Sequence, residues 1–385
     1  MSKVKSMRSK EIAAGEESIT VLRPRDLNRA LLARQMLLSR VTMSALDAIE
    51  RLVGMQAQAP TAPYFGLWSR LYGFDQEELS ELLRSRKVVR IALMRSTLHL
   101  VSDRDCLTLR PWLQPVLERS LKGSFGKQLN ELDLHELAAQ GRALVEAEPR
   151  TFNELGKKLS EHWPDREPAA LTAAVRTMVP LVQLPPRGIW GMSGQAKHTS
   201  MEAWLGQPLS TLSASENTVL RYLAAYGPAT TKDIQVWSGI TRLNVVMEKL
   251  RPHLITFRDE QGKELFDLPN APRPKGDIPA PPRFLGEFDN MLLSYADRTR
   301  IMDETYRKRV FTENGIIRST ILVDGFVRGT WKMKRERGKA VLIIEPFKRL
   351  SAQEHNDLTE EGARLLSFTA PEDDSHDIVF LPSDG

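Results

Sequence analysis

Cys106 is the only cysteine in this chain of 385 residues. A single thiol excludes an intrachain disulfide and a thiolate zinc cluster, and it fits a reducing cytoplasm. Long apolar runs are also missing. No stretch approaches the ~18 to 20 residues that a membrane span needs. The first 20 residues carry Lys3, Lys5, Arg8 and Lys10 with no apolar segment behind them. They read as a disordered tail rather than a signal peptide. There is no glycine-rich phosphate loop of the P-loop kind and no Gly-x-Ser-x-Gly elbow. The seven histidines are scattered, so neither a metal site nor a cofactor is expected.

What is present is ordinary in bulk: 27% charged and 41% hydrophobic residues, with a net charge of +5. The basic balance leans toward a polyanionic partner. The length exceeds one ordinary core and suggests about two to four modules. Three segments repeat one plan of helices followed by two short strands, the winged-helix order. In the third, Ser213 and Glu216 form a capping box for a helix that stops at Gly227-Pro228. A second helix ends at Gly239. Thr241 caps a third, with Val245, Val246 and Leu250 in its apolar stripe. LITFRD and ELFDLP then pair around Gly262.

In the second segment, helices are expected near Leu134 to Glu146, Thr151 to Glu161 and Glu167 to Met178, with LVQLP and GIWGM as the wing. In the first, KVVRIALM and STLHLVS are the strands. Six prolines between Pro269 and Pro282 mark an extended connector. Beyond it the period changes to two. STILVDGFVRGTWKMK turns at Asp324-Gly325, AVLIIEPF is a buried strand, and Ser351 with Glu354 opens a last helix. The acidic end after Pro371 reads as a mobile tail. The expected fold is therefore α+β, mainly α: three tandem winged-helix motifs and a C-terminal β-rich domain. The expected divisions are a tail at 1–20, winged-helix units at 21–125, 126–207 and 208–268, a linker at 269–283, the β-rich domain at 284–370 and an acidic tail at 371–385.

One stretch in the first unit carries chemistry. In Met55-Gln56-Ala57-Gln58-Ala59-Pro60, the prolines bar a continuing helix, so the chain is extended. Positions i and i+2 then point the same way. Gln56 and Gln58 present two amides to one small space, which suits holding one water.

The segments LVGMQAQAPTAPYFGLWSRL (52–71), ALMRSTLHLVSDRD (92–105), EFDNMLLSYADRTRI (287–301) and VDGFVRGTWK (323–332) together resemble the AlkZ-like DNA glycosylases. The likeness runs from about Leu27 to about Phe368. The resemblance implies winged-helix enzymes of C-shaped, DNA-embracing architecture that excise N7-alkylated purines. Some members unhook interstrand crosslinks. It also implies that a Gln-Φ-Gln motif carries catalysis, here Gln56-Ala57-Gln58. A sibling branch has Asp where this chain has Gln58, so that branch's substrate range is not carried over to this chain.

Other residues fill out this reading. Arg95, Thr97 and His99 share a face at period two, and the resemblance puts Arg95 and His99 beside the active-site region, lining the DNA surface or pocket. Arg328, Lys332 and Lys334 share a strand face, and Arg335 and Arg337 follow at its tip, a basic hairpin suited to DNA backbone contact. Glu287, Asp289 and Asp297 are assigned to packing, with Asp297 paired to Arg298 and Arg300. The expected activity is a monofunctional glycosylase on double-stranded DNA carrying alkylated purines, a cytoplasmic, nucleoid-associated monomer with no lyase step, since no lysine adjoins the loop. The competing expectation is a non-enzymatic winged-helix transcription regulator, with Thr241, Arg242 and Asn244 on a helix reading the major groove. The glutamine pair separates the two, because a regulator has no need of it.

Overall fold

The computed structural model describes residues 20–210, 214–336 and 338–383. Three sheets organise it. The first has five antiparallel strands in the order Met55–Gln56, Leu98–Ser102, Val88–Ala92, Leu181–Gln183, His198–Ser200. Val88–Ala92 is buried along its whole length. Its side chains enter cores on both faces of the sheet, Val89 and Ile91 in one and Val88 in the other, which is why it reads as an apolar run rather than an alternation. The wings expected of the first two units are thus parts of one sheet, joined where Arg90 pairs with Gln183 and Ile91 with Val182. The second strand of the second wing is His198–Ser200, not GIWGM. The glycines at 188 and 191 have positive φ and turn the chain there instead.

The helices of the second unit lie where periodicity places them, at Leu134–Ala147, Phe152–Ser160 and Pro168–Met178, with the Thr151/Glu154 capping box formed. The third unit has helices Ser215–Tyr226, Thr231–Ser238 and Asn244–Leu250, then the hairpin Ile255–Asp259 and Glu264–Asp267. Ser213 lies outside the described residues; Ala214 holds the cap position of the first of these helices. Thr241 does not cap the third helix, whose cap position is Leu243. Its buried residues are Met247 and Leu250, while Val245 is 67% exposed. The hairpin gains a parallel strand, Val21–Leu22, from the start of the first unit.

The third sheet runs Ser375–Phe380, Lys339–Pro346, Phe326–Glu336, Thr320–Val323, Arg283–Leu285. Asp324 and Gly325 both have positive φ, the two-residue turn that suits a twisted hairpin. The helix Ala352–Thr369 packs Leu358, Leu365 and Leu366 onto this sheet's core. The acidic end is not a free tail. Ser375–Phe380 pairs in parallel with Lys339–Pro346, and Asp373 and Asp377 meet Arg335 and Lys339. The proline-rich connector is pinned along the helix Pro24–Arg34, whose Arg34 donates to the Pro272 carbonyl and whose Asp26 accepts from the Gly276 amide. One core joins Tyr64, Leu67 and Trp68 to Phe284, Trp331 and Leu342, so the first unit and the last sheet pack as neighbours.

Candidate active site

The glutamine stretch is held at both ends. Ser44 caps the helix Ala45–Arg51, with Oγ accepting from the Asp47 amide at 3.1 Å. The chain then turns through Val53 and Gly54, both at positive φ. A Cβ on Gly54 would lie 2.5 Å from Val101 Cγ1, so only glycine fits this crossing. Met55–Gln56 follows as an edge strand, with Met55 opposite Leu100 and Gln56 opposite His99. The Ala57 amide still reaches the Leu98 carbonyl, at 2.8 Å. Pro63 sits in the first turn of the helix Ala62–Arg70, where a missing N–H costs nothing. Only Met55–Gln56 is strand: the chain bends at Gln58 and Ala59 and turns at Pro60 and Thr61 before the helix, so the extended stretch is shorter than expected.

The two side chains meet. Gln56 is buried and Gln58 exposed, and the Gln56 amide nitrogen donates to Gln58 Oε1. Arg95 Nη2 donates to Gln56 Oε1 at 2.7 Å, and its Nη1 donates to the Trp237 carbonyl. An arginine can only donate. Gln56 must therefore turn its oxygen to Arg95 and its NH2 to Gln58. The result is a directed chain, Arg95 to Gln56 to Gln58. It leaves a lone pair on Gln58 Oε1 and the Gln58 NH2 facing outward.

Arg95 does not share a strand face with His99. It sits in a tight turn at Met94–Ser96, with φ of 55°. Gly239, the end of the helix Thr231–Ser238, packs against that turn, where a Cβ would lie 3.4 Å from the Arg95 nitrogen. Burial lowers the Arg95 guanidinium to about 10, and Arg298 adds to the shift, so it stays charged at neutral pH.

His99 is fully buried, across the ladder from Gln56. Its Nδ1 lies 3.0 Å from the Thr97 carbonyl and must carry the proton. Its Nε2 is buried without a partner. Burial, reinforced by the Arg95 charge, depresses it to about 3. His99 is therefore neutral and lies beneath the glutamines rather than on an outer surface.

Two supports escaped the sequence. Arg90, buried in the middle of the apolar run KVVRIALM, donates from Nη2 to the Ala57 carbonyl at 2.7 Å. It fixes the peptide between the two glutamines. A charged residue inside an otherwise apolar strand was the available signal. The second support is the segment Glu287–Asn290. Asn290 donates to the Gly54 carbonyl at 3.2 Å, and Asp289 takes a bidentate pair from Arg70 at 2.9 Å. Of the three carboxylates expected to pack, Asp289 does so, whereas no hydrogen bond or ion pair is found for the Glu287 side chain among the described residues. Asp297 packs differently, with its carboxylate accepting from Thr299 and lying 3.7 Å from Lys263 rather than bonding Arg298 or Arg300. A cavity of about 20 Å³ lies between this segment and Gln56, room for roughly one water.

A groove of about 680 Å³ runs from Thr61, Ala62 and Phe65, just after the glutamines, to Trp331, Lys332 and Met333. It brings Lys332 of the expected basic hairpin to the residues that follow the glutamine loop, although neither glutamine lines it. Lys332 and Lys334 are exposed. Arg335 is bound to Asp373 at 2.5 Å, and Arg328 lies 4.0 Å from Glu354. Arg337 is outside the described residues. The uncommitted charge on this strand face thus rests on Lys332 and Lys334.

The model of a family described as DNA glycosylase AlkZ-like matches residues 49–368. The interstrand DNA cross-link repair glycosylase of Streptomyces sahachiroi is 26% identical over 344 residues, covering 82% of this chain and 88% of that relative. The solved structure of Streptomyces sahachiroi DNA glycosylase AlkZ superposes with a TM-score of 0.75 at 20% identity, over 94% of this chain and 100% of the other. At that identity the likeness speaks for the fold.

Proposed function

The chain belongs to the AlkZ-like DNA glycosylase family, and from that premise we propose that it hydrolyses the N-glycosidic bond of N7-alkylguanine and related cationic bases as a monofunctional enzyme. The observation that carries the reading is the directed chain from Arg95 through Gln56 to Gln58. Alkylation at N7 puts a positive charge on the purine, so the base leaves without being protonated. What remains is to place a water below C1′ and support an oxocarbenium-like sugar. The water donates a hydrogen bond to the open lone pair of Gln58 Oε1, keeps an oxygen lone pair for C1′, and loses a proton as its oxygen bonds to C1′. As the C1′–N9 bond breaks, its electron pair passes to the purine and cancels the positive charge.

No lysine lines the small cavity, which favours hydrolysis over a Schiff-base lyase step. In this reading the three helix-and-hairpin units are winged helices that embrace duplex DNA as a C-shaped monomer in the cytoplasm, with Lys332 and Lys334 on the phosphates. The open groove beside the loop suits bulky adducts. The relative named for cross-link repair extends the proposal to interstrand crosslinks.

The test is release of N7-methylguanine from methylated duplex DNA. Wild type releases the base. Gln56→Ala and Gln58→Ala each lose about 100-fold or more in rate while DNA binding persists. A well-folded wild type that binds DNA and releases nothing would retire the N7-methylguanine assignment.

A further inference from the structure

Two neutral amides can orient a water, but neither can take its proton. Resting on the glycosylase reading above, we propose that Glu287 is a further catalytic residue. Its carboxylate accepts the proton that the nucleophilic water gives up as the water oxygen bonds to C1′. The C1′–N9 bond breaks in the same step, with its electron pair leaving on the purine.

Position is the first argument. Glu287 lines the water-sized cavity together with Gln56, and it also lines the groove that runs to Lys332. It is the only carboxylate common to both among the described residues. Ala62, which opens the helix after the glutamines, lines both spaces as well. The junction therefore lies beside Ala62, with Gln56 on its cavity side; Gln58 lines neither space.

The second argument is that nothing in the fold uses this carboxylate. Asp289, two residues on, is spoken for by Arg70. Glu287 is half-buried, and among the described residues no hydrogen bond or ion pair is found for its side chain. A carboxylate taken partly out of water without a partner costs stability. Such groups concentrate where proton chemistry is done.

The backbone holds Glu287 in place. Phe288 adopts φ of 57°, uncommon for an aromatic residue, and its amide donates to the Ile317 carbonyl at 3.2 Å. Gly286 lies against the loop-side helix, where a Cβ would come within 3.0 Å of the Ala62 carbonyl oxygen. Asn290 ties the segment to Gly54.

The charges facing Glu287 leave it poised to accept. In the cavity, Arg70 is neutralised by Asp289, and Tyr226 is held uncharged, raised to about 12 by burial. On the groove side stand Arg318, Lys332 and Glu345. Burial raises the Glu287 carboxyl above its ordinary value. A raised carboxyl is a stronger base once ionised, and it is lost as acceptor when pH falls through its pKa.

The experiment is single-turnover release of N7-methylguanine from methylated duplex, from about pH 5 to about pH 8, by wild type, Glu287→Gln and Glu287→Asp. Circular dichroism at each pH and affinity for the same duplex accompany it. Wild type shows a rate that falls on the acid side. Glu287→Gln is slower by at least about tenfold at neutral pH and loses the acid limb. Glu287→Asp keeps the limb and recovers part of the rate, with binding unchanged throughout. A merely structural role would not remove a pH limb.

Glu287→Gln with wild-type rate and the same limb overturns the proposal and leaves the glycosylase reading intact. Should the Gln variant not fold, a wild-type profile without an acid limb overturns it equally. Wild type that releases no base overturns the reading itself and this proposal with it.

Discussion

An amide side chain has an oxygen end and a nitrogen end of nearly the same shape, so its neighbours decide which end meets a substrate. Arg95 makes that decision for Gln56, and Gln56 makes it for Gln58. Replacing Arg95 by Met keeps bulk but removes the donor, and Gln56 is then free to turn over. Release of N7-methylguanine is expected to fall about 10- to 100-fold, with affinity for undamaged duplex little changed. Arg95→Lys, with one charge but no planar fork, should fall between. Equal loss of binding and catalysis in Arg95→Met would instead make it a DNA contact. The glutamine pair was legible because two prolines and a two-residue spacing dictate it. That Arg95 belongs near them was legible only through resemblance, because the left-handed turn at Met94–Ser96 breaks the alternation that a strand reading assumes. The place of Glu287 was out of reach, because it comes to the cavity across more than 200 residues of chain. Arg90 carried a signal, a charge inside an apolar strand, but not the identity of its partner.

Elements tell a similar story about charge. The strand Phe326–Glu336 looks strongly basic in sequence, yet the last helix and the terminal segment answer part of it. Arg335 meets Asp373, and Arg328 lies 4.0 Å from Glu354. Lys332 and Lys334 are exposed, and it is these two that the proposed function puts on the phosphates. Removing both as alanines should weaken binding uniformly across sequences. It should lower the slope of log affinity against log salt by about 1.8, roughly 0.9 per phosphate contact. Arg335→Ala should change that slope much less. A slope unchanged in the double variant would move the DNA path elsewhere. The terminal strand Ser375–Phe380 was hidden because acidic composition reads as solvated tail. Its acids are matched to the basic strand edges, a pairing that only the sheet order reveals. His198–Ser200 was hidden because three polar residues in a row carry no period. The long capped helices and the Asp324-Gly325 hairpin were legible, since caps and turn glycines act locally.

At the scale of the whole molecule, the helix Pro24–Arg34 ties distant parts of the chain together. Arg25 and Arg29 reach Asp324 in the hairpin of the last sheet. Arg34 makes a bidentate pair with Asp267 at the end of the third unit's hairpin, at 2.7 and 2.8 Å, with both side chains fully buried. Arg273 from the connector joins the same carboxylate. A buried pair gives little net stability when intact, but losing one partner strands the other charge. Asp267→Ala should therefore cost about 3 to 5 kcal/mol in urea unfolding, far more than any exposed pair on this chain. Replacing Arg34 and Asp267 together by Met and Leu should recover part of that loss, because the fully buried charge goes with its partner while the more exposed Arg273 is left to solvent. Neither residue lines the glutamine cavity or the groove. Folded Asp267→Ala protein should accordingly release N7-methylguanine at close to the wild-type rate when assayed well below its transition. A large rate loss in protein that is still folded would mean that the clamp also sets the distance between the third unit and the loop. The contact of Gly239 with the Arg95 turn would be the route for that effect.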